Sequence, residues 1–439
     1  MKLKPRHFQK EALVWMINAL REQWKNAKKS VTFNQITMEL LRIVTAGSVD
    51  DGKSTLIGRL LYETKSLKDD QLEHIVEKSK SKGIDYIDFS LATDGLLTER
   101  EQGITIDISN IFFKTNQRRF IIADAPGHVE YTRNMVTGAS NADTAIILID
   151  ARKGVLEQTQ RHYNITQLLG INHLIFVINK MDLIDYNHEK FKGIKEDILQ
   201  LTQKNENTLH LLPVSALKGD NITIQSKNTP WYNGPALLEL IENIDLVPSN
   251  QQENILQVQW VIRPQLKSHH DYRGFAGKVN SGCFRVGDEI TVFPSGLNSK
   301  IKQIDRYGKA VTLLYEGENG TLILEDDIDL SRGSSIIGTT AEEETQPSKQ
   351  INATICWMQN QPLNTQSKYF LQQGTQQLQT KVTTIEGSPA SFKLNDIGNI
   401  SLRLSEPILS TPFKQNKNIG RFILIDPQTN NTAAVGFIR

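Results

Sequence analysis

The chain has 439 residues, 38% of them apolar and 23% charged, with a formal net charge of +1. That length predicts about three domains with ample core, and the near-neutral balance excludes a global field that gathers nucleic acid, leaving only local basic patches open. Cys283 and Cys356 lie far apart and outside any C-x-x-C pair, no apolar run is long enough to span a bilayer, and the N-terminus lacks the apolar core of a secretion signal; the chain is read as cytoplasmic, without a disulfide framework or zinc site.

Residues 1–37 form a basic extension. Leu13, Ile17, Leu20 and Trp24 fall on one face of a helix over Phe8 to Lys28, among Lys4, Arg6, Lys10, Arg21, Lys25, Lys28 and Lys29. Packing on its own protein or on a partner is the preferred reading, against a membrane-surface or nucleic-acid contact. Glu11 and Glu22 speak against an organelle transit peptide.

Residues 38–247 alternate apolar strands with helical stretches. Leu40–Ala46, Phe120–Ala123, Thr144–Ile149, Leu174–Ile178 and His210–Val214 read as buried strands, and Glu157–Leu169 and Phe191–Thr202 as helices. Continuous apolar strands separated by helices predict an α/β fold, a mainly parallel sheet covered on both faces, with ligands at the carboxyl ends of the strands. From residue 248 short β-rich runs replace the helical pattern: Ile255–Ile262, Gly274–Val279, Glu289–Phe293 and Thr321–Leu324. A second set runs through Ile351–Trp357, Lys381–Ile385, Ile400–Leu404 and Arg421–Ile425, after a polar linker at Thr340–Lys349. Two small all-β barrels or sandwiches follow, over 248–345 and 346–439.

The chemistry gathers behind those strands. Gly47-Ser48-Val49-Asp50-Asp51-Gly52-Lys53-Ser54, followed by Thr55, fits the phosphate-loop pattern G-x-x-x-x-G-K-[ST] between a strand and a helix. Its backbone N–H groups and the helix N-terminus form an anion nest. Lys53 is placed for the β- and γ-phosphates, and Ser54 for Mg²⁺. Asp124-Ala125-Pro126-Gly127-His128 follows the next strand. Asp124 is placed to hold Mg²⁺ through water, and the Gly127 N–H to meet the γ-phosphate. His128 is the candidate for positioning the attacking water, the alternative being a loop histidine that caps the next helix. Thr105, in Gly103-Ile104-Thr105-Ile106, is the candidate switch threonine on Mg²⁺, or else a solvent-facing strand residue. Asn179-Lys180-Met181-Asp182 offers a carboxylate, Asp182, that matches the N1–H and exocyclic amine of guanine; adenine presents no such donor pair. Asn179 braces the loop, the Lys180 stem covers the ring, and Ser215-Ala216-Leu217 offers the Ala216 N–H to guanine O6. GTP with Mg²⁺ is therefore the expected nucleotide. The neighbouring His269 and His270 lack acidic or cysteine companions and are read as a solvated loop.

These motifs resemble the translational GTPases, the class of elongation factors Tu and 1-alpha. They are more closely similar to the large GTPase subunit, CysN, of bacterial heterodimeric sulfate adenylyltransferase. In that family an aspartate precedes the second glycine of the phosphate loop, as Asp51 does here. Glu99-Arg100-Glu101-Gln102-Gly103-Ile104-Thr105-Ile106-Asp107, Tyr131-Thr132-Arg133-Asn134-Met135, Asp150-Ala151-Arg152-Lys153-Gly154-Val155 and Pro230-Trp231-Tyr232-Asn233-Gly234-Pro235 extend the likeness. Phe293-Pro294-Ser295-Gly296 and Ile328-Asp329-Leu330-Ser331-Arg332-Gly333 carry it into the first barrel. Ala125 stands where the family usually has threonine, and Val129 where it has glutamate. The resemblance implies a GTPase domain followed by two barrels, and a heterodimer with a small catalytic subunit of CysD type. That partner would bind ATP and sulfate and form adenosine 5′-phosphosulfate and pyrophosphate, with GTP hydrolysis helping to drive the reaction. No second phosphate-loop pattern occurs, so a fused adenylylsulfate kinase domain is not expected. A translation factor that delivers aminoacyl-tRNA, and a scaffold that binds GTP without turning it over, are the competing readings.

Overall fold

The computed structural model describes residues 39–81, 83, 86–92, 109–125, 135–136, 139, 141–202, 209–246, 253–264, 272–338, 346–387 and 391–439. The basic N-terminal segment, Thr105, Pro126, Gly127, His128, Val129, His269 and His270 lie outside the described residues.

The first unit is a six-stranded sheet. Its strands are β1 (Leu40–Ala46), β2 (Ser109–Lys114), β3 (Arg119–Asp124), β4 (Thr144–Asp150), β5 (His173–Asn179) and β6 (Leu209–Pro213), in spatial order β2-β3-β1-β4-β5-β6. All neighbours are parallel except β2, which runs antiparallel along β3 at one edge. In β4 every residue is buried, because both faces are covered. Ile146 and Leu148 meet Leu56, Ile57, Leu60 and Leu61 of α1 (Lys53–Glu63) on one face. Ala145, Ile147 and Ile149 point to the other, where they join Ile165 of α3 (Glu157–Leu168) and Phe191, Ile194 and Ile198 of α4 (His188–Leu201). This side alternation is the two-residue period of a strand. The helix α2 (Asp69–Ser81) follows α1, and the short α5 (Leu237–Glu242) closes the α1 face with Leu237, Leu240 and Ile241.

Beyond this unit all regular structure among the described residues is β. Strands β7 (Ile255–Ile262), β8 (Gly274–Ser281), β10 (Glu289–Phe293), β11 (Asn298–Arg306), β14 (Asn319–Leu324) and β15 (Ser335–Gly338) run in the order β10-β15-β7-β8-β14-β11. The β10–β11 pairing closes them into a barrel. Strand β12 (Lys309–Val311) pairs on β11, and β9 (Cys283–Arg285) pairs with β13 (Leu313–Tyr315). A second closed barrel is β16-β19-β18-β17-β20-β21. Its strands are β16 (Gln346–Trp357), β17 (Lys368–Gln373), β18 (Gln376–Glu386), β19 (Ile397–Ser410), β20 (Arg421–Ile425) and β21 (Thr432–Ile438), around Trp357, Phe392 and Leu371. The architecture is a phosphate-loop α/β domain followed by two all-β barrels.

One local reading of the sequence is corrected. The stretch taken as a linker ends sooner, since β16 begins at Gln346. Pro347 is opposite Leu409 of β19, whereas β21 joins β16 only at Ala353–Trp357, so the proline sits where one side of the strand is free of a partner strand. The edge strand β2 is not among the strands read from the sequence; Asn110, Phe112 and Lys114 on one of its faces are exposed.

Candidate nucleotide site

The loops at the carboxyl ends of β1, β5 and β6 converge with Asp124 and Ala125 at the end of β3, because the registers hold those ends level: Thr45 faces Asp124, and Asp150 faces Asn179. The first is the phosphate loop. Gly52, the N-cap of α1, has φ 95°, a left-handed conformation that glycine adopts without strain, and a Cβ there would meet Asn179 Nδ2 at 2.4 Å. It provides no side-chain cap, and the first turn of α1 contains no acidic residue. The helix therefore presents uncapped first-turn N–H groups and their partial positive charge to the loop.

Lys53 is 8% exposed and folds back, its Nζ donating to Gly47 O (2.8 Å) and Ser48 O (3.2 Å). Burial lowers its pKa, against Asp124, Asp51 and Asp50, which favour the ammonium. Asp51 lies beneath the loop, with Oδ2 accepting the Ser48 N–H at 2.7 Å. Burial raises its pKa, while that hydrogen bond and Lys53 pull the other way. Asp51 Oδ1 and Ser48 Oγ are buried with no hydrogen-bond partner among the described residues.

Asp124, 1% exposed, accepts from Thr45 Oγ1 at 2.8 Å, which orients the carboxylate at the end of β3. The Ser54 hydroxyl and the Asp124 carboxylate form a small set of hard oxygen donors. Such a set fits Mg²⁺, which keeps much of its water and takes few protein ligands.

On the base side, Asn179 is 2% exposed and spans two loops. Its Nδ2 donates to Asp51 O (2.8 Å), and its Oδ1 accepts the Ala216 N–H (2.9 Å). The sequence reading aims that same N–H at guanine O6. The nearest acceptor to the Ala216 amide is the Asn179 side chain, which ties the β5 and β6 loops together. Asp182 Oδ1 accepts from Ser215 Oγ at 2.6 Å. Met181 is fully buried beneath the loop, its N–H on Val214 O at 3.2 Å. Leu217 O receives Arg59 Nη1 of α1 at 3.1 Å. Lys180 is left-handed, φ 62°, and its Nζ donates to Asp50 O and reaches Asp150 Oδ2 at 3.0 Å. Thus Gly47–Thr55, Asp124, Ala125, Asn179–Asp182 and Ser215–Leu217 come together.

Sequence reasoning assigned no role to Thr45, Asp150, Arg152 or His162. Asp150 is 1% exposed and receives Arg152 through Nε (3.0 Å) and Nη2 (2.6 Å). Burial pushes its pKa up, yet the bonds from Arg152 and Lys180 hold it well below the ordinary carboxylate range. A carboxylate ending the apolar strand Thr144–Ile149 was the available signal. His162 on α3 is 2% exposed, with Nε2 3.1 Å from Gln158 Nε2 and Nδ1 lacking a partner among the described residues. Burial, with Lys53 and Arg161 nearby, depresses its pKa to about 3.

Comparison with known proteins agrees with this geometry. Residues 38–250 match the elongation factor Tu GTP binding domain family, and residues 350–439 the GTP-eEF1A C-terminal domain-like family. The sulfate adenylyltransferase subunit 1 of Aliarcobacter butzleri is 45% identical over 91% of this chain and 87% of that protein. That of Alteromonas mediterranea is 44% identical over 91% and 87%. The chain belongs to the sulfate adenylyltransferase subunit 1 family. The bifunctional enzyme CysN/CysC of Mycobacterium tuberculosis is 42% identical over 91% of this chain and 67% of its own length. Members of this family are GTPase subunits, and the phosphate and base loops described above belong to their GTP-binding domain. The GTP-bound Ski7 GTPase-like domain of S. cerevisiae superposes with a TM-score of 0.53 at 17% identity, covering 93% of this chain and 100% of that one, a likeness of fold alone. No helix among the described residues is long and apolar enough to cross a membrane.

Proposed function

We propose that this chain is the GTP-hydrolysing regulatory subunit of a cytoplasmic sulfate adenylyltransferase, with domains at 38–247, 248–345 and 346–439. It would couple GTP hydrolysis to formation of adenosine 5′-phosphosulfate and pyrophosphate from ATP and sulfate, in sulfate assimilation. A small CysD-type subunit would carry the adenylyl transfer and bind ATP and sulfate. The observation that carries the reading is the convergence of the phosphate loop, Asp124, Asn179–Asp182 and Ser215–Leu217 at one end of one sheet.

In this reading Lys53 and the backbone of Gly47–Thr55 hold the phosphates, and Ser54, Asp124 and Thr105 hold Mg²⁺. When bound there, Mg²⁺ would supply positive charge against the charge that develops on the phosphates. His128 orients the attacking water, the Gly127 N–H senses the γ-phosphate, and Asp182 reads the base. Positioning and charge stabilisation supply most of the catalysis in phosphoryl transfer, so these few groups suffice.

The test is GTPase activity of the purified chain with and without the catalytic subunit, ATP and sulfate. The expected result is stimulation that requires all three, with adenylylsulfate formed. No stimulation by an authentic, folded partner rejects the coupling and moves the weight to aminoacyl-tRNA delivery. A His128→Ala variant with undiminished stimulated GTPase rejects the role of His128.

A further inference from the structure

We propose that Asp150 is a positioning residue of the nucleotide site: it holds the Lys180 ammonium across the base and so fastens the base-reading loop to the phosphate loop. The inference rests on the guanine-nucleotide reading above and goes beyond it.

Asp150 ends a strand whose other residues, Thr144–Ile149, are buried and almost entirely apolar. A carboxylate in such a place is costly unless cations and hydrogen bonds match it. Two cations do so, Arg152 from the loop just beyond β4 and Lys180 from the loop beyond β5. They are not equivalent. Arg152 is 47% exposed and reaches back only to its own loop, whereas Lys180 is 22% exposed and also donates to the carbonyl of Asp50 in the phosphate loop. Lys180 thereby bridges the end of β4 and the phosphate loop. Its backbone takes a left-handed conformation, φ 62°, uncommon for lysine, so tertiary contacts must hold it there. A second strap, Asn179 Nδ2 on Asp51 O, runs parallel to it. Without Asp150 the Lys180 ammonium keeps a single carbonyl partner and the four-carbon stem regains its rotamers. The Lys180 strap between the base loop and the phosphate loop is then slackened, and bound nucleotide escapes sooner.

The experiment measures dissociation of a fluorescent GDP analogue from the full chain, for wild type, Asp150→Asn, Lys180→Met, and the double variant. Each single variant is expected to speed release about tenfold, and the double to release no faster than Lys180→Met alone. Arg152→Ala is expected to stay within about threefold of wild type. A merely structural role for Asp150 would give multiplied effects in the double variant, and that result overturns the proposal. So does release from Asp150→Asn at the wild-type rate, or Arg152→Ala reproducing it in full. Should Asp150→Asn fail to fold, Asp150→Glu goes through the same cycle with the same criteria. A wild-type chain that binds no guanine nucleotide would instead reject the underlying reading.

Discussion

Among the described residues Asp182 accepts from one side-chain donor, Ser215 Oγ at 2.6 Å, and its proposed role rests on matching two N–H groups of guanine. An Asp182→Asn substitution puts one donor and one acceptor where two acceptors stood. GTP affinity is expected to fall roughly 10- to 150-fold, the loss of a hydrogen bond to a charged group worth ~1.5–3 kcal/mol. Preference should move toward a base with a carbonyl at C2, such as xanthine. Competition binding with GTP and xanthosine triphosphate checks this, and unaltered selectivity speaks against base reading by Asp182. His162 sets a pH dependence of another kind. Its folded pKa, about 3, lies below the ordinary value of 6.5, so between those values the unfolded chain binds a proton that the folded chain does not. Stability from the neutral ring is complete above pH 6.5 and is lost as pH falls through that window. The slope is about 1.4 kcal/mol per pH unit for one proton. Thermal melts of His162→Leu from pH 7 to pH 4 should show a shallower decline than wild type; an equally steep decline rejects His162 as the source.

The element on which the site depends most is α1. Its N-terminus faces the phosphate loop, and Arg59, nearly two turns on, donates to the carbonyls of Leu217 and Lys218 in the base loop. Gly58 lets α1 sit against the short 3-10 turn Phe89–Ala92, since a Cβ there would meet the Phe89 carbonyl oxygen at 1.9 Å. A helical glycine is usually replaceable by alanine with a gain in propensity. Here Gly58→Ala is expected to destabilise by about 1–3 kcal/mol through overpacking. It should also weaken GTP binding, because α1 carries Ser54 and the anion-facing helix start. Calorimetry and nucleotide titration measure both, and a variant at least as stable as wild type contradicts the packing argument. Legibility also divides at this scale. Strands β4 and β5 were readable because burial on both faces makes them almost continuously apolar. The edge strand β2 was not, since it is buried on one side only and its pairing with β3 is a tertiary fact.

Across the molecule, the second barrel is packed directly into the core of the α/β domain. Cys356, Met358, Phe413 and Phe437 belong to the same buried cluster as Ile165, Leu169 and Ile171. Arg421 Nη1 donates to Asn141 Oδ1 at 2.9 Å across the same boundary. The two barrels meet over Ile255, Phe293, Leu409 and Ile419, and within the second barrel Gln373 Nε2 donates to the carbonyl oxygens of Leu409 (2.8 Å) and Ile419 (2.5 Å). Truncating Phe413 to alanine should therefore cost about 3–5 kcal/mol. The loss falls on the contact between the units, so the calorimetric transition is expected to move down and broaden or split. A single unshifted transition would show that the barrel adds nothing to the stability of the α/β domain.

The nucleotide chemistry was determined by the sequence itself. The phosphate-loop, D-x-P-G and N-K-x-D motifs are each written within a few consecutive residues, and their spacing behind apolar strands already predicts that they share one end of a sheet. The tertiary structure alone decided how those loops are joined. Lys180 meets the phosphate loop across 130 positions, and Asn179 meets Asp51 across 128. It also decided that the Ala216 N–H serves Asn179, and that a carboxylate ending an apolar strand is matched by Lys180. Such contacts are set by strand order and register, which no local pattern encodes, because residues far apart in the chain become neighbours only when the sheet assembles.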